Sequence, residues 1–424
     1  MNILFNTTTV RKGGVLQRAV GQTDQLLRDV GEHEWCIATS PAIRDELIRL
    51  GTPHLDQLRV FIHSPARSWS ARRRLADLER QFHPDCVFTL GGPAYVRFRA
   101  PHLLMCTTAW VSHPSWLAYQ TKSVPVGCLT AALVNAYKGW WFREATAWAV
   151  QTETARLGLH RRLGLPLDHI GVIPNTCGKH YLIHSETTPS PPTSGKVRVL
   201  VFAAPYSHKR LTLTPDIAYH LRDLLPQRTV EFVLTLPPQH EIARAIERRA
   251  RRLGVTDCII NQGPVAIADG PELYESCHIS LLPTVFETFS ATYVESMAMG
   301  LPIVTTDLGF ARDVCQDAAL YFAPNNPVAA AQHLARLLQD SAQWEKLAAA
   351  GKARLRHFPS RPAQRRLYMA MLTAAAEHKP ISQLVADLPI SSGLAAAEVD
   401  AITDHADKNP NDATGRRSVR DIDE

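Results

Sequence analysis

The sequence has little that would carry the chain into or across a membrane. Met1 opens directly onto the apolar stretch Asn2–Phe5, with no charged leader followed by an apolar run, so we expect no signal peptide and a cytoplasmic protein. The longest apolar region, Val124–Val150, is interrupted by charged residues such as Lys138 and Arg143, which argues against a spanning helix. A net charge of +6 is mild for 424 residues. It would suit an anionic nucleotide or a peripheral contact with acidic lipid at the inner face of the membrane, without selecting between them.

Motifs of several other protein classes are also missing. The eight cysteines include no Cys-x-x-Cys pair, so we expect buried free thiols rather than a zinc site. No Gly-x-Gly-x-x-Gly follows the first strand, which argues against a dinucleotide oxidoreductase. No basic stripe alternates with aromatic residues, so nucleic acid is not predicted as a partner. The run Arg72–Arg74 is interpreted as the solvated face of a helix at Ser70–Phe82.

Short apolar runs alternate with helical patterns along most of the chain, which is typical of parallel sheets built from βαβ units. A segment rich in Pro, Ser and Thr interrupts the series and predicts a linker between two similar domains. The predicted strands are Asn2–Phe5, Trp35–Thr39, Leu58–Ile62, Asp85–Leu90, His102–Cys106, Thr146–Val150 and His169–Ile173, then Val197–Ala203, Val230–Leu236, Cys258–Asn261, Ile279–Leu282, Ile303–Thr306 and Leu320–Phe322. The predicted parts are a first domain at 1–184, a linker at 185–196, a second domain at 197–357, a C-terminal helix at 358–377 and a disordered tail at 378–424.

Two glutamates stand close together in the second predicted domain. Glu287 follows the strand Ile279–Leu282, and Glu295 lies inside a helix that begins near Ser290. Both can therefore face the crevice at the carboxyl end of a parallel sheet, where open α/β sheets bind ligands. The backbone amides of Phe289 and Ser290 lie at the start of this helix, where unpaired N–H groups and the helix dipole can hold a phosphate. The segment thus combines an anion-binding helix start with two hydrogen-bond acceptors.

This segment resembles the retaining GT-B glycosyltransferases of the large group 1 family, which includes glycogen synthase, sucrose synthase and many bacterial polysaccharide transferases. Their signature has two glutamates separated by seven residues, and this chain has the same spacing. Thr288 departs from the Gly or Ser that usually follows the first glutamate. The rest of the pattern is matched by Glu287, Phe289, Ser290, Glu295, Met297, Ala298, Gly300, Pro302, Ile303 and Val304. The resemblance covers residues 1 to 377, strongly in the second domain and weakly in the first.

The resemblance implies an α/β protein of GT-B fold, in which two Rossmann-like domains face each other across a cleft. It further implies a retaining, metal-independent hexosyltransferase that needs no cofactor. Such an enzyme moves a sugar from a nucleotide-diphosphate sugar to a glycan, lipid-linked or small-molecule acceptor, as in polysaccharide biosynthesis. Glu287 would orient the sugar and favour positive charge at its anomeric carbon, and Glu295 would accept a hydrogen bond from the nucleotide ribose.

A basic residue after the first strand of the second domain completes the implied donor site. Lys209 matches the family's lysine, which is aimed at the diphosphate, so the resemblance implies a binding and a catalytic role for it. The family's arginine position falls on Ala204. Half of the cationic clamp is therefore missing unless Arg210 or His208 substitutes.

The remaining candidate site residues lie in loops. Gly13 and Gly14 follow the first strand, in a loop that closes over the donor phosphates in the resembling family, although a plain tight turn would also place two glycines here. Gly263 and Val265 match the family's turn beside the nucleotide base, or form a generic strand-to-helix turn. His113 is the candidate for the family's catalytic histidine, with an ordinary loop residue as the alternative.

Other function classes stay open at the level of sequence. A GT-B-like protein could bind a nucleotide sugar or a partner without transfer, which would fit the missing arginine and the uncertain histidine. A hydrolase or epimerase of sugar nucleotides with the same fold is a third alternative. Release of nucleoside diphosphate, with and without acceptors, distinguishes these classes.

Overall fold

A computed structural model of the protein describes residues 1–28, 31–121, 125–184, 189–192 and 195–381. Within these residues the chain forms two parallel sheets flanked by helices. All thirteen strands predicted from the sequence are present, with ends that differ by no more than two residues. The α/β fold with two Rossmann-like domains is therefore confirmed. Residues 185–188 and 193–194 of the predicted linker and residues 382–424 of the predicted tail lie outside the described residues.

The first sheet has seven strands in the order β3-β2-β1-β4-β5-β6-β7. These strands are β1 (Asn2–Asn6), β2 (Glu34–Thr39), β3 (Leu58–Val60), β4 (Cys86–Leu90), β5 (His102–Met105), β6 (Ala147–Val150) and β7 (Ile170–Val172). The helices of this domain are α1 (Gly14–Arg28), α2 (Pro41–Arg49), α3 (Trp69–Phe82), α4 (Ala109–Ser112), α5 (Trp116–Gln120), α6 (Pro125–Phe142), α7 (Glu153–Leu163) and α8 (Lys179–Ile183).

The second sheet has six strands in the order β10-β9-β8-β11-β12-β13. These are β8 (Val197–Val201), β9 (Val230–Leu234), β10 (Ile259–Asn261), β11 (Ile279–Leu282), β12 (Ile303–Thr306) and β13 (Ala319–Phe322). The helices that follow in the chain are α9 (Thr214–Leu224), α10 (Glu241–Leu253), α11 (Gly270–Glu275), α12 (Ala291–Ala298), α13 (Gly309–Cys315), α14 (Pro327–Gln339), α15 (Ser341–Leu355) and α16 (Arg361–Ala376).

The local sequence explains these elements. Every residue of β4, β11 and β12 is buried, because helices cover both faces of each sheet, and such strands are mainly apolar rather than alternating. Several helices begin at a polar N-cap whose side chain accepts from a backbone amide in the first turn. These caps are Ser40, Ser68, Thr152, Asn326, Asp340 and Ser360.

The strand order places the ligand crevice of each domain. Strand order reverses between β1 and β4 in the first sheet and between β8 and β11 in the second. Ligands of open parallel sheets bind at the carboxyl ends of the strands beside such a reversal. In the second domain this point lies where the loops after β8 and β11 meet. Those loops carry Lys209 and Glu287.

The last helix returns to the first domain. The Tyr368 ring of α16 lies 5.3 Å from the Phe88 ring of β4, and Met371 is fully buried in the same core. Ile381 is also fully buried there, and its Cγ2 atom lies close to Gly171. The packed chain therefore extends past 378, where the sequence placed the start of the tail, because Ile381 caps the end of the core that α16 completes.

The sequence predicts buried free thiols and no membrane-spanning helix. The structure describes the side chains of seven of the eight cysteines, and all seven are free thiols. Burial raises the pKa of the Cys86 thiol to about 12, as expected for an unreactive core cysteine. Among the helices described, none combines the length and apolar character that crossing a bilayer requires.

Candidate functional site

The loops after β8 and β11 join through their backbones before any side chain is considered. Val285 donates its backbone N–H to the His208 carbonyl oxygen at 2.9 Å. The Thr284 hydroxyl donates to the same carbonyl at 3.3 Å. Because two donors share one acceptor, the short 3-10 turn that ends at Lys209 is held against the turn that contains Glu287. The sequence predicted these residues at one site, and the structure brings them together.

Lys209 and Glu287 form an ion pair at this junction. The Lys209 ammonium contacts the Glu287 carboxylate, and the two side chains are only 14% and 13% exposed. Glu287 Oε1 also lies 3.3 Å from the Thr284 hydroxyl, whose one proton is shared between this oxygen and the His208 carbonyl. Two charges that are largely withdrawn from water attract each other strongly. Removing one of them destabilises the protein, because the other charge stays buried without a partner. The site therefore holds one fixed positive and one fixed negative group in direct contact.

Residues of the first domain hold the Glu287 turn from the other side of the cleft. His113 Nε2 lies 2.8 Å from the Glu287 carbonyl oxygen. The Thr152 hydroxyl donates to the Thr288 carbonyl at 3.2 Å. The Thr288 hydroxyl in turn donates to Gln151 Oε1 at 2.7 Å. These three contacts hold the backbone of Glu287 and Thr288 in place, and with it the Glu287 side chain.

The hydrogen bonds of His113 determine its protonation and its place in the site. A carbonyl oxygen can only accept, so the Nε2 atom that faces Glu287 must carry the proton. Burial lowers the pKa of His113, so its ring is neutral and the Nδ1 atom accepts from the Ser112 hydroxyl 2.8 Å away. The ring also lies 5.9 Å from the Phe286 ring. His113, predicted as a catalytic residue, is thus engaged at both nitrogens in positioning the Glu287 turn.

Glu295 lies on α12 in a different environment from Glu287. The Tyr274 hydroxyl of α11 donates to Glu295 Oε2 at 2.8 Å. Burial raises the pKa of Glu295 to about 7, and the Tyr274 hydrogen bond and the Lys209 charge offset part of this effect. The carboxyl group therefore exchanges its proton near neutrality. The sequence predicted Glu295 as a hydrogen-bond acceptor for the ribose and did not identify Tyr274 as its partner.

The start of α12 is built as the sequence predicted. Ser290 is the N-cap and has extended backbone, but its side chain makes no capping hydrogen bond. Phe289 and Ser290 are both buried, and the Phe289 ring lies 5.8 Å from the Phe358 ring. A helix start without a side-chain acceptor leaves its first amides available to an anionic group. That position adjoins the Lys209–Glu287 pair.

The Gly13 loop of the first domain approaches the β8 loop across the cleft. Gly13 has φ +81°, a conformation that favours glycine, and a Cβ atom there would lie 3.3 Å from the Tyr206 hydroxyl. The Tyr206 ring stacks on the His208 ring with centroids 5.5 Å apart. At Gly14, where α1 begins, a Cβ atom would meet nothing within 4 Å. Only Gly13 of the predicted pair is therefore required by its backbone and surroundings.

The other predicted site residues lie around the edge of the second domain's crevice. Gly263 has φ +81° just past the end of β10, and its amide donates to Asn261 Oδ1 at 3.4 Å. Val265 packs against the apolar cluster that contains Tyr274. Arg210 has φ +52°, and its Nε atom donates to Asn325 Oδ1 at 2.8 Å. Arg210, considered as a substitute for the missing arginine, is thus tied to the loop after β13.

Sequence reasoning missed the residues that connect the two domains. Gln151 and Thr152 directly follow β6, and both bond to Thr288. Polar residues at the carboxyl end of a parallel strand are the signal that could have identified them. Thr288 appeared only as a departure from the family pattern. Its hydroxyl has a specific partner in the first domain, which a glycine could not provide.

The second domain is similar to a known protein family. Residues 198–340 match the family described as Glycosyl transferases group 1. Over 208 residues the chain is 27% identical to a D-inositol 3-phosphate glycosyltransferase of Xylanimonas cellulosilytica, in an alignment that covers 48% of this chain and 42% of that protein. Over 96 residues it is 31% identical to O-antigen chain mannosyltransferase B of Escherichia coli, covering 23% of this chain and 25% of that one. The chain thus spans less than half the length of these curated relatives.

Solved structures match over a larger share of the chain. A glycosyltransferase from Rickettsia africae has a TM-score of 0.67 at 16% identity, covering 89% of this chain and 99% of that one. Anabaena HepE in complex with UDP and glucose has a TM-score of 0.60 at 14% identity, covering 96% of this chain and 99% of that one. At such identities the likeness is one of fold.

Proposed function

Because this chain has a group 1 glycosyltransferase domain in a GT-B fold, we propose that it transfers a sugar from a nucleotide-diphosphate sugar to an acceptor hydroxyl with retention of anomeric configuration. The observation that carries the proposal is the Lys209–Glu287 ion pair, clamped at the second domain's crevice by contacts from the first domain. The pair places opposite charges where a leaving diphosphate and a developing positive sugar need them.

The ion pair provides one group to stabilise each charge that develops in the proposed transition state. The diphosphate gains negative charge as the glycosidic bond breaks, and the Lys209 ammonium and the first amides of α12 would stabilise it. Glu287 would accept from the sugar hydroxyls and stabilise positive charge at the anomeric carbon. Donor binding would therefore place the diphosphate beside the ammonium and the sugar beside the carboxylate. The withdrawn position of the pair strengthens both interactions.

The acceptor hydroxyl would attack on the face from which the diphosphate departs. Its proton would pass to the departing diphosphate oxygen, so no separate basic side chain is required. His113 is already neutral and donates to a backbone carbonyl, which suits a positioning role rather than a base. We propose that transfer needs no metal ion, because Lys209 provides the positive charge that a metal would otherwise supply.

The relatives' names support the proposed classes of donor and acceptor. Two matching proteins are named for D-inositol 3-phosphate and for an O-antigen chain, and HepE structures hold UDP-glucose. These names support a hexose donor and a glycan, lipid-linked or small-molecule acceptor, as in polysaccharide biosynthesis. We propose that the reaction takes place in the cytoplasm.

A second candidate function is binding of a nucleotide sugar without transfer. Ala204 stands where the resembling family has an arginine, and Arg210 is bonded to Asn325. A donor site with one cation in place of two would bind the diphosphate but stabilise its departure less well.

Incubation with UDP-, GDP- and ADP-sugars, with and without acceptors, tests the proposal. Acceptor-dependent release of nucleoside diphosphate, unchanged by a chelator, is the expected result. Release without any acceptor would indicate a hydrolase, and donor binding without release would indicate the second candidate. Lys196→Ala is a matched control, since Lys196 forms an exposed ion pair with Glu231 at 2.9 Å in the same domain.

A further inference from the structure

The outer face of α6 is apolar and exposed to solvent. Leu129 and Leu133 are 65% and 64% exposed, and Trp140 is 49% exposed. These residues and the exposed Tyr137 are three or four positions apart, so they form one stripe along the helix. We call Leu129, Leu133, Tyr137 and Trp140 the outer stripe. A row of large apolar side chains in water indicates an interaction surface rather than a solvated face.

The inner face of the same helix is packed, which fixes the direction of the stripe. Phe142 is fully buried in a cluster with β5, β6 and α7. A Cβ atom at Gly139 would lie 3.0 Å from Leu163 Cδ2. The Arg143 Nε atom donates to the Leu163 carbonyl at 3.0 Å. Because α6 is anchored on one side, its apolar outer stripe cannot turn inward without unpacking these contacts.

Arg72 joins the outer stripe to the start of α3. Its guanidinium donates to the Tyr137 hydroxyl at 3.0 Å and to the Pro65 carbonyl at 2.6 Å. It also lies 4.9 Å from the centroid of the Trp69 ring, which is 82% exposed. The sequence interpretation of Arg72 as part of a solvated face is therefore wrong, because its donors are used within the protein. Trp69 extends the exposed apolar surface beyond α6.

The segments that build this surface contain no acidic residue. Residues 57–76, which lead into α3, have no Asp or Glu and five arginines. Residues 86–143, which run through α6, have no Asp or Glu and five Lys or Arg. Arg67, just before α3, and Arg73 and Arg74, in its first turns, are exposed. Glu144, which ends the second segment, is paired with Arg97. Asp77, one turn past Arg73 on α3, is paired with Arg80, so positive charge exceeds negative charge beside the apolar stripe.

We propose that this face of the first domain docks on the surface of an anionic membrane. The outer stripe and Trp69 would lie at the level of the lipid headgroups, where apolar helix faces and tryptophan rings are stabilised. Arg67 and Arg73 would contact anionic headgroups. A second copy of the chain fits the surface less well, because two such faces would bring their uncompensated arginines together.

Docking at this face would also orient the cleft. The acid-free segment from 86 to 143 includes His113, which bonds to the Glu287 carbonyl at the active-site crevice. The proposed docking face and the first domain's side of the crevice are thus built from one stretch of chain. A lipid-linked acceptor could reach the crevice while its anchor stays in the membrane. The docking itself does not depend on transferase activity, and it is measured without donor or acceptor.

Flotation of the full-length protein with vesicles tests the proposal. Vesicles of phosphatidylcholine with phosphatidylglycerol should carry the protein, and vesicles of phosphatidylcholine alone should carry much less. Raising the salt concentration should weaken binding, because it screens the arginine contacts. The emission of exposed Trp69 and Trp140 should shift to shorter wavelength as their rings leave water. Failure to float with anionic vesicles at low salt would overturn the proposal.

Paired variants identify the surface. Leu133→Gln and Trp140→Gln should each weaken binding about ten-fold, since each loses a large apolar contact. Arg73→Gln should weaken it roughly five-fold. Ile48→Gln is the matched control, because Ile48 is 55% exposed on α2 of the same domain, and its binding should equal that of the parent.

The same variants distinguish a membrane from other occupants. Two independent positions on the stripe keep the test valid if one variant melts earlier than the parent. Equal flotation of parent, Leu133→Gln and Trp140→Gln would place any lipid contact elsewhere and overturn the assignment. Light scattering that shows a dimer, dissociated by Leu133→Gln, would assign the stripe to a second copy of the chain instead. Loss of transfer with vesicle binding intact would count against the proposed function alone.

Discussion

The two crevices face each other but are built from different chemistry. At the second domain's reversal point, Lys209 and Glu287 place opposite charges in direct contact. At the first domain's side, Gly13 provides close backbone approach and His113 provides a neutral hydrogen bond. Charge is costly to withdraw from water, so it is kept where the chemistry requires it. On the proposed function, transition-state stabilisation belongs to the second domain and positioning to the first.

Removing either charge of the second domain should have the largest effect. Lys209→Ala and Glu287→Gln should each lower turnover by on the order of 10²–10³, as loss of one preorganised electrostatic group does. Lys209→Ala should also weaken binding of the free nucleoside diphosphate, whereas Glu287→Gln should not. Steady-state kinetics and calorimetry measure the two effects, with Lys196→Ala as the control. Turnover within three-fold of the parent in both variants would remove the pair from the mechanism.

Removing the first domain's hydrogen bond should have a smaller effect. His113→Ala removes the hydrogen bond to the Glu287 carbonyl. It should lower turnover by roughly ten-fold, the effect expected for the loss of one hydrogen bond. His113→Gln should restore most of the loss, because an amide N–H can donate to the same carbonyl but cannot act as a base. If His113→Gln is as impaired as His113→Ala, the histidine acts chemically rather than through position, and the contrast between the domains fails.

The pKa of Glu295 makes a prediction with a definite pH dependence. Its folded pKa of about 7 lies above the usual 4.5, so the folded state binds more protons than the unfolded state between these values. Stability is therefore lost as pH rises through this window. Glu295→Gln should stabilise the protein at pH 8 relative to the parent, by on the order of 1–3 kcal/mol, and have little effect at pH 4.

The same substitution should affect the donor. Glu295→Gln replaces a charge-assisted acceptor by a neutral amide, so donor affinity at pH 8 should fall about ten-fold. Melting curves and donor titrations at both pH values check the two effects together. A variant that is less stable than the parent at pH 8 would contradict the assigned pKa. Unchanged donor affinity would remove Glu295 from the site.

A pair of glycine variants has the smallest expected effect and tests the loop between the domains. Gly13→Ala should cost about 1 kcal/mol in stability, because alanine is strained at positive φ and its Cβ would crowd the Tyr206 hydroxyl. Gly14→Ala should be neutral or slightly stabilising, since nothing lies within 4 Å of its Cβ. Thermal unfolding compares the two variants. Equal effects would show that the Gly13 loop does not need its close approach.

Local patterns predicted the sheets well because buried parallel strands are continuous apolar runs separated by helices. Glu287 was predicted from its place after a strand and from the family signature, and Lys209 from the family resemblance; the structure places both after strands at the point where the strand order reverses. The pairing of Thr288 with Gln151 could not be predicted, because it joins residues 137 positions apart across the cleft. The burial of Ile381 was missed for a related reason: it depends on α16 returning to the first sheet, a long-range contact that local composition does not reveal.

A double-mutant cycle on the ion pair tests most directly whether Lys209 and Glu287 serve the transfer or only the fold. Lys209→Met and Glu287→Gln should each destabilise the protein by on the order of 2–3 kcal/mol, since each leaves one polar partner poorly compensated. The double variant should recover much of that stability, because neither charge remains buried alone. Its turnover should stay at least 100-fold below the parent, roughly the value of one electrostatic group. A double variant that regains both stability and turnover would contradict the account, because the pair would then serve the fold and not the transfer.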